Sequence, residues 1–213
     1  MLRYVFLFGA VLGLAGPAHA ITLNQIDDFQ SGSVAGWDEG AVSPNPPTNQ
    51  STGGPGGAGD RYLRNTSNGS FGPGGRMVMF NLAQWRGNYT AAGVTKVRMH
   101  LANFGNAPLT LRVAVEGPNG MRFASTNGHV VTNNGQWVQV DFNLNDMTKL
   151  SFNGTIEEAL ADVNVFRILA AVEPAWQGDV VVATIGVDNI QALNELSPVE
   201  GSTWGGIKAL YAD

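Results

Sequence analysis

The chain has 213 residues, a net charge of −5 at pH 7 and an isoelectric point near 5.1. This acidity argues against a surface that binds nucleic acid or an anionic membrane. There is no cysteine, which excludes disulfides, thiol catalysis and metal clusters held by cysteine. Charged residues make up only 14% of the chain and glycines number 28, a composition that favours short strands joined by many turns.

The N-terminal segment 1–20 has the features of a secretory signal peptide. Arg3 precedes an apolar run over 4–14 that is too short to span a bilayer, and Ala18-His19-Ala20 matches the small-x-small pattern of a cleavage site. We therefore expect a secreted, extracellular protein whose mature chain begins at Ile21 and has no membrane span. An uncleaved N-terminal anchor is the alternative.

Alternation of apolar and polar residues predicts a chain built mainly from β-strands. Apolar side chains recur at every second position in 94–104, 109–116 and 137–144, while 163–172 and 180–193 are apolar enough to be buried on both faces. Only 155–161 predicts a helix, with Thr155 as its N-cap. Short connections predict antiparallel hairpins, and the number of strands predicts a β-sandwich over 21–194. Shorter strands are predicted at 23–29, 61–65, 76–81 and 121–125.

Two segments lack this alternation. Residues 43–59 are rich in proline and glycine without an apolar anchor, which is typical of a functional or mobile loop.

Residues 195–213 predict a linker and a short tail that contains WGGIKALY. The tail has apolar residues at helical spacing, but its paired glycines oppose a helix. A recognition tag, a segment docked on the sandwich and a disordered end are the open alternatives.

Asp188 interrupts the apolar run VVVATIGVDNIQAL at 180–193. Val187 and Ile190 are separated by three positions instead of two, which predicts a β-bulge that turns Asp188 outward at the sheet margin. The first and last strands of such sandwiches often lie side by side, so Asp28 and Asp60 are expected nearby.

Carboxylate and carbonyl oxygens are the ligands that Ca²⁺ requires in proteins. We therefore predict a structural calcium site formed by Asp28, Asp60 and Asp188. The alternative is that these acids are solvated strand ends, or form ion pairs with Arg61 or Arg64.

Several motifs resemble a known fold family. IDDFxxGxxxGW at 26–37 and IGVDNI at 185–190 resemble the first and last strands of galactose-binding-like jelly-roll modules, which include many carbohydrate-binding modules. The segments 60–64, 84–94 and 101–105 are similar to a laminin-B-like domain of secreted bacterial proteins, which often end in a PEP-CTERM sorting tail.

This resemblance covers about residues 23–193 and implies an all-β jelly-roll sandwich with one short helix. It also implies a structural Ca²⁺ held by Asp28 and Asp188, although Gln30 stands where many such modules have an acid.

Aromatic side chains are the candidate ligand-binding residues, because such rings stack on sugar rings beside amide and charged groups. Trp85 and Tyr89 lie among polar residues, with packing in a corner of the core as the alternative. Trp137 has outward parity on its strand, although it would also suit the open end of the core. Trp176 lies in a loop, and Trp37 is predicted to be a core residue.

No motif provides a frame for catalysis. His100 and His129 have no serine in a GxSxG motif to pair with, and Glu157 and Glu158 point apart on their predicted helix. We expect a non-catalytic secreted module that binds an extracellular or cell-surface carbohydrate. A structural or adhesive matrix protein with protein partners is the alternative, and a glycan lyase or hydrolase is the least supported class.

Overall fold

The structure is a computed structural model that describes residues 20–195. The predicted signal peptide up to residue 19 and the predicted tail from residue 196 lie outside this range. Within it, almost all regular structure is β-strand. No helix between residues 20 and 195 has the length and apolarity that crossing a membrane requires.

The described residues form short strands and two short helices, α1 (Tyr89–Ala92) and α2 (Ile156–Ala161). In chain order the strands are β1 (Ile26–Asp27), β2 (Trp37–Asp38), β3 (Thr48–Gln50), β4 (Tyr62–Asn68), β5 (Val78–Asn81), β6 (Lys96–Asn103), β7 (Leu109–Glu116), β8 (Arg122–Ser125), β9 (His129–Val131), β10 (Val138–Asn143), β11 (Met147–Lys149), β12 (Val165–Ala170) and β13 (Val182–Leu193).

These strands form two antiparallel sheets. Sheet A has the order β10-β6-β13-β4-β3, with β1 also paired to β13. Sheet B has the order β11-β8-β7-β12-β5-β2, with β9 paired to β7. The prediction of an all-β sandwich is confirmed. The predicted helix is confirmed as α2, where Thr155 and Glu158 form a capping box, but α1 was not predicted.

The core lies between the sheets and follows the predicted alternation. Val97, Met99 and Leu101 of β6 are fully buried, as are Leu111 and Val113 of β7. Burial of one such side chain stabilises the fold by about 1.5–3 kcal/mol relative to exposure. The residues between these core positions project from the outer faces of the two sheets.

Two connections differ from the predictions. The turn at 103–106 is not a hairpin, because β6 belongs to sheet A and β7 to sheet B. A short turn therefore carries the chain across the sandwich here. Residues 43–59 are also not an unanchored loop, since Pro47 is buried, 48–50 forms β3 against β4, and Gly56 N donates to the Asp60 carboxylate at 2.6 Å.

The last strand, β13, runs through the centre of sheet A. Its pairing with β6 shifts between Asp188 and Gln191, and Asn189 has a φ of +50°, so the predicted bulge is confirmed. The predicted adjacency of the first and last strands is also confirmed, because Ile26 of β1 lies opposite Gln191. However, a central strand has neighbours on both sides. Asp188 is therefore fully buried and does not lie at an exposed sheet margin.

A buried carboxylate, that of Asp27, connects the two sheets. Its Oδ2 accepts hydrogen bonds from the indole Nε1 atoms of Trp37 and Trp85, each at 2.8 Å. Gln84 Nε2 donates to both carboxylate oxygens, at 3.2 and 3.0 Å. Burial raises the pKa of Asp27, and the hydrogen bonds from Trp85, Trp37 and Gln84 oppose this rise. Asp27 lies on β1 of sheet A and Trp37 on β2 of sheet B, so this contact joins the layers.

Substitution Asp27→Ala should destabilise the fold by roughly 2–4 kcal/mol, because two buried indole N–H groups lose their acceptor at about 1–3 kcal/mol each. Urea unfolding in the presence of chelator measures the difference. Asp28→Ala is the matched control, since its exposed side chain predicts a change within about 0.5 kcal/mol. Equal stability of the two variants would contradict the role given to Asp27.

Candidate functional site

Three aromatic residues form a cluster on the outer face of sheet A. Tyr62 begins β4, Phe104 follows β6 and Trp137 precedes β10. The ring centroids lie 5.2 Å apart for Tyr62 and Trp137, 5.9 Å for Tyr62 and Phe104, and 6.1 Å for Phe104 and Trp137. All three positions alternate with core residues of their strands. We refer to Tyr62, Phe104 and Trp137 as the aromatic cluster.

Gly186 of β13 makes room for the aromatic cluster. A Cβ atom at this position would lie 2.6 Å from Cη2 of Trp137 and 2.8 Å from Cε2 of Phe104. Both distances are too short for two carbon atoms, so any side chain here would displace the rings. The absence of a side chain on the central strand therefore lets the rings of Trp137 and Phe104 approach the sheet closely.

The aromatic cluster is both held in place and open to solvent. The Trp137 indole Nε1 donates to the Gly53 carbonyl at 2.9 Å, so the glycine-rich segment after β3 orients the ring. Phe104 is 40% exposed, and Tyr62 and Trp137 are half-buried. Ring surface is consequently available to a ligand without a change in conformation.

Polar side chains on the same face surround the aromatic cluster. Arg64 of β4 is exposed and lies opposite Gly186, while Gln139 of β10 is exposed and lies opposite His100 of β6. Burial lowers the pKa of His100, although the negative charge of Asp60 opposes this. The face thus combines apolar ring surface with guanidinium, amide and neutral imidazole groups, which together can bind a flat, hydroxyl-rich molecule.

Comparisons with known proteins identify the fold and nothing finer. No known family matches the sequence, and no curated protein is similar to it. Among solved structures, a family 11 carbohydrate-binding module from Clostridium thermocellum, in complex with a β-1,3-1,4-mixed-linked tetrasaccharide, superposes with a TM-score of 0.51 at 10% identity. That match covers 84% of this chain and 99% of the module. The fold is the jelly roll of carbohydrate-binding modules.

Two further structures show the same fold. The same family 11 module, taken from a cellulosomal cellulase of C. thermocellum, gives a TM-score of 0.50 at 10% identity over 83% of this chain and 98% of the module. An exo-β-agarase gives a TM-score of 0.57 at 10% identity over 84% of this chain. This chain spans only about a quarter of the agarase, since the match covers 26% of that enzyme. These matches confirm the resemblance to jelly-roll carbohydrate-binding modules stated from the sequence motifs.

The three predicted calcium ligands of the jelly roll interact without forming a ligand set. Asp60 accepts hydrogen bonds from Gly56 N and from Gln30 Nε2, while Asp28 accepts one from Gln30 N. Asp188 accepts a hydrogen bond from the next backbone N–H at 2.7 Å. Across residues 20–195, no three His, Cys, Asp or Glu side chains are placed to hold a metal ion. The calcium site at Asp28, Asp60 and Asp188 therefore stays a prediction.

The same three acids are nevertheless electrostatically coupled. The pKa of Asp188 is raised to about 7. Burial is the largest cause, and the negative charges of Asp60 and Asp28 contribute to the same rise. Asp28 and Asp60 thus act on Asp188 as like charges, and protonation of Asp188 relieves this repulsion.

Trp85 and Tyr89 are fully buried, so the prediction that they bind a ligand is wrong. The Trp85 ring stacks on Phe166 at a centroid distance of 5.1 Å, and the Tyr89 hydroxyl donates to the Trp85 carbonyl at 3.0 Å. Neither ring has surface for a sugar to contact. The two residues instead pack a corner of the core, which was the alternative.

Trp176 lies on the outer face of sheet B, on the opposite side of the sandwich from Trp137. It is half-buried against Leu169 and neighbouring alanines. The guanidinium groups of Arg167 and Arg122 lie over its ring, with Cζ at 3.8 and 4.6 Å from the centroid. The predicted aromatic residues therefore do not come together in one site.

The elevated pKa of Asp188 predicts that stability falls as pH rises. The folded state holds the Asp188 proton up to about pH 7, whereas the usual pKa is 3.8, so the folded state binds more protons between these values. Stabilisation by this group is complete below about pH 4 and is lost as pH rises through 7. Urea midpoints measured across this range in chelator should fall less steeply for Asp188→Asn than for the native protein.

Glu39 provides the control for this measurement, because burial also raises its pKa to about 7. Glu39→Gln should remove a separate part of the pH dependence of the urea midpoint. The double variant Asp188→Asn, Glu39→Gln should show the smallest change of midpoint with pH. Superimposable profiles for Asp188→Asn and the native protein would refute the assignment.

Proposed function

We propose that this chain is a secreted, non-catalytic carbohydrate-binding module whose aromatic cluster binds an extracellular or cell-surface glycan. The observation that carries this proposal is the aromatic cluster itself, three rings held on an open sheet face by the glycine at 186. Large aromatic side chains grouped on a protein surface commonly mark an interaction site. The cleavage-site pattern that ends at Ala20 supports secretion.

Sugar chemistry matches the groups on this face. The C–H face of a pyranose ring packs on the aromatic cluster, and its hydroxyls bond to Arg64, His100 and Gln139. The exposed sheet face, four strands wide from β10 to β4, suits an extended chain better than a small enclosed ligand. The shared fold with a module solved in complex with a mixed-linked tetrasaccharide supports this class of ligand.

Two carboxylates on this face, those of Asp60 and Asp141, support a binding role rather than hydrolysis, and Asp188 is fully buried. Cleavage of a glycosidic bond uses two carboxyl groups that flank the bond, one of them kept protonated. Asp141 is engaged by Arg98 through two hydrogen bonds of 2.7 and 2.9 Å, which lower its pKa and keep it ionised. Asp60 is engaged by Gly56 and Gln30. Both groups therefore serve the fold.

Calcium is a second part of the proposal, restricted to stability. Its support is the mutual repulsion of Asp28, Asp60 and Asp188, which a divalent cation would offset.

Trp137→Ala should reduce binding to neutral β-glucan oligosaccharides at least about tenfold, equal to about 1.4 kcal/mol, because it removes the largest ring of the aromatic cluster. Isothermal titration calorimetry with a mixed-linked tetrasaccharide, chosen after a glycan array, measures the effect. The matched control is Phe152→Ala, which removes a fully exposed aromatic ring elsewhere on the surface.

Unchanged affinity for Trp137→Ala would exclude the aromatic cluster as the binding site. Failure on every glycan, together with capture of a protein partner, would favour the adhesive alternative over carbohydrate binding.

Saturating Ca²⁺ should raise the thermal midpoint relative to chelator. A ligand that binds only the folded state adds about 2.7 kcal/mol at a hundred times its dissociation constant. Asp188→Asn should abolish this response, while Asp38→Asn should retain it as a control on the other sheet. An identical midpoint with Ca²⁺ and with chelator would remove Asp28, Asp60 and Asp188 from any metal role.

A further inference from the structure

A groove of about 420 Å³ lies on the outer face of sheet B, on the opposite side of the sandwich from the aromatic cluster. Its lining includes Glu39 after β2, Phe71 and Arg76 before β5, Phe80 on β5 and Arg167 on β12. We refer to it as the sheet B groove. None of these residues belongs to the aromatic cluster or contributes to the proposed glycan site.

Two buried polar atoms of the sheet B groove have no hydrogen-bond partner among the described residues, Oε1 of Glu39 and Nε of Arg167. Glu39 is only 5% exposed, and its other carboxyl oxygen accepts from the Ser43 hydroxyl at 2.6 Å. The Ser43 hydroxyl therefore fixes one oxygen of the carboxyl, and the Asn65 side chain lies close to the carboxyl without a well-aligned hydrogen bond to Oε1. A buried polar atom without a partner costs about 1–3 kcal/mol, so an acceptor and a donor of this kind in one groove indicate a ligand that meets both.

The charges of the sheet B groove favour an anion. Within residues 20–195 neither Arg76 nor Arg167 is paired with a carboxylate, since the ion pairs there involve other residues. Burial, followed by the positive charge of Arg122, lowers the pKa of Arg167 to about 10. Burial also raises the pKa of Glu39 to about 7, so the one acid of the groove is partly neutral near that pH. A negatively charged ligand would stabilise the charged form of Arg167.

Aromatic rings accompany both guanidinium groups. Cζ of Arg76 lies 5.3 Å from the Phe71 ring centroid, and Cζ of Arg167 lies 5.4 Å from that of Phe80. Phe71 is 82% exposed, so its ring surface is free to contact a ligand. A ring surface next to a guanidinium matches a molecule that has an apolar face and an acidic group at its edge.

We propose that the sheet B groove is a second carbohydrate site, which binds a sugar residue that carries a carboxylate or a sulfate. Arg76 and Arg167 bond to the acidic group, Phe71 packs on the C–H face of the sugar ring, and Glu39 bonds to a hydroxyl. The anionic sugar thus supplies the charge and the hydrogen bonds that the groove lacks. This site is separate from the aromatic cluster, so either site can fail without the other.

Titration calorimetry with a galacturonate trisaccharide and with its methyl ester tests the proposal. The acidic form should bind, and the ester should bind at least about tenfold more weakly because it has no charge. Arg76→Gln and Phe71→Ala should each weaken binding of the acid at least about fivefold. Arg86→Gln is the matched control, because it removes an exposed arginine that does not line the groove and should leave the affinity unchanged.

Two further measurements identify the preferred acidic group and distinguish the two sites. A sulfated galactose oligosaccharide compared with the galacturonate shows whether sulfate or carboxylate is preferred, and either preference supports the groove. Trp137→Ala should leave the acidic ligand bound while weakening the neutral β-glucan, and Phe71→Ala should do the reverse.

Three results would overturn the proposal. They are no binding to any acidic oligosaccharide, equal losses in Arg86→Gln and Arg76→Gln, and loss of the acidic ligand in Trp137→Ala. Phe71 is largely exposed, so Phe71→Ala gives a readout even if Arg76→Gln fails to fold.

Discussion

Two indole N–H groups that share one buried carboxylate oxygen determine how the layers of this sandwich meet. Asp27 brings the first strand of sheet A to Trp37 of sheet B and to Trp85 beyond β5. In a chain without cysteine, this polar contact is one link between the sheets in addition to apolar packing. It also fixes both indoles in the core against Phe166, which keeps them away from any ligand and leaves recognition to the outer faces.

The sequence predicts which single residues point outward from the sheets. It does not predict which of them lie next to one another on an outer face. Alternation along 137–144 gives Trp137 its outward direction, and the same rule would assign Tyr62 and Phe104 to an outer face. What brings these three rings together is the strand order β10-β6-β13-β4, which depends on pairings between distant parts of the chain. No local pattern encodes that order. The bulge near Asp188 was predictable because it changes local spacing, whereas the burial of Asp188 follows from the central place of β13.

The error at Trp85 and Tyr89 has a definite physical source. Their polar neighbours suggested hydrogen bonds to a sugar, but those side chains serve the fold. Gln84 binds the Asp27 carboxylate, and Asn88 caps α1 by accepting from Ala91 N at 2.7 Å. Polar residues beside an aromatic residue fit a binding site and a capped helical turn equally well. Only the three-dimensional partners of each amide distinguish the two.

The pairing of β1 with β13 has a mechanical consequence. The chain enters the sandwich beside the strand from which it leaves. Tension applied through the two flanking segments therefore acts first on Ile21, which donates to the Arg86 carbonyl, and then on β1 where it pairs with β13. Such tension would peel β1 from the sheet edgewise, one hydrogen bond after another, while the strands that carry the rings and the groove remain unstressed. The Asp27 carboxylate is the next contact in that path, and its rupture would set the force at which the module opens.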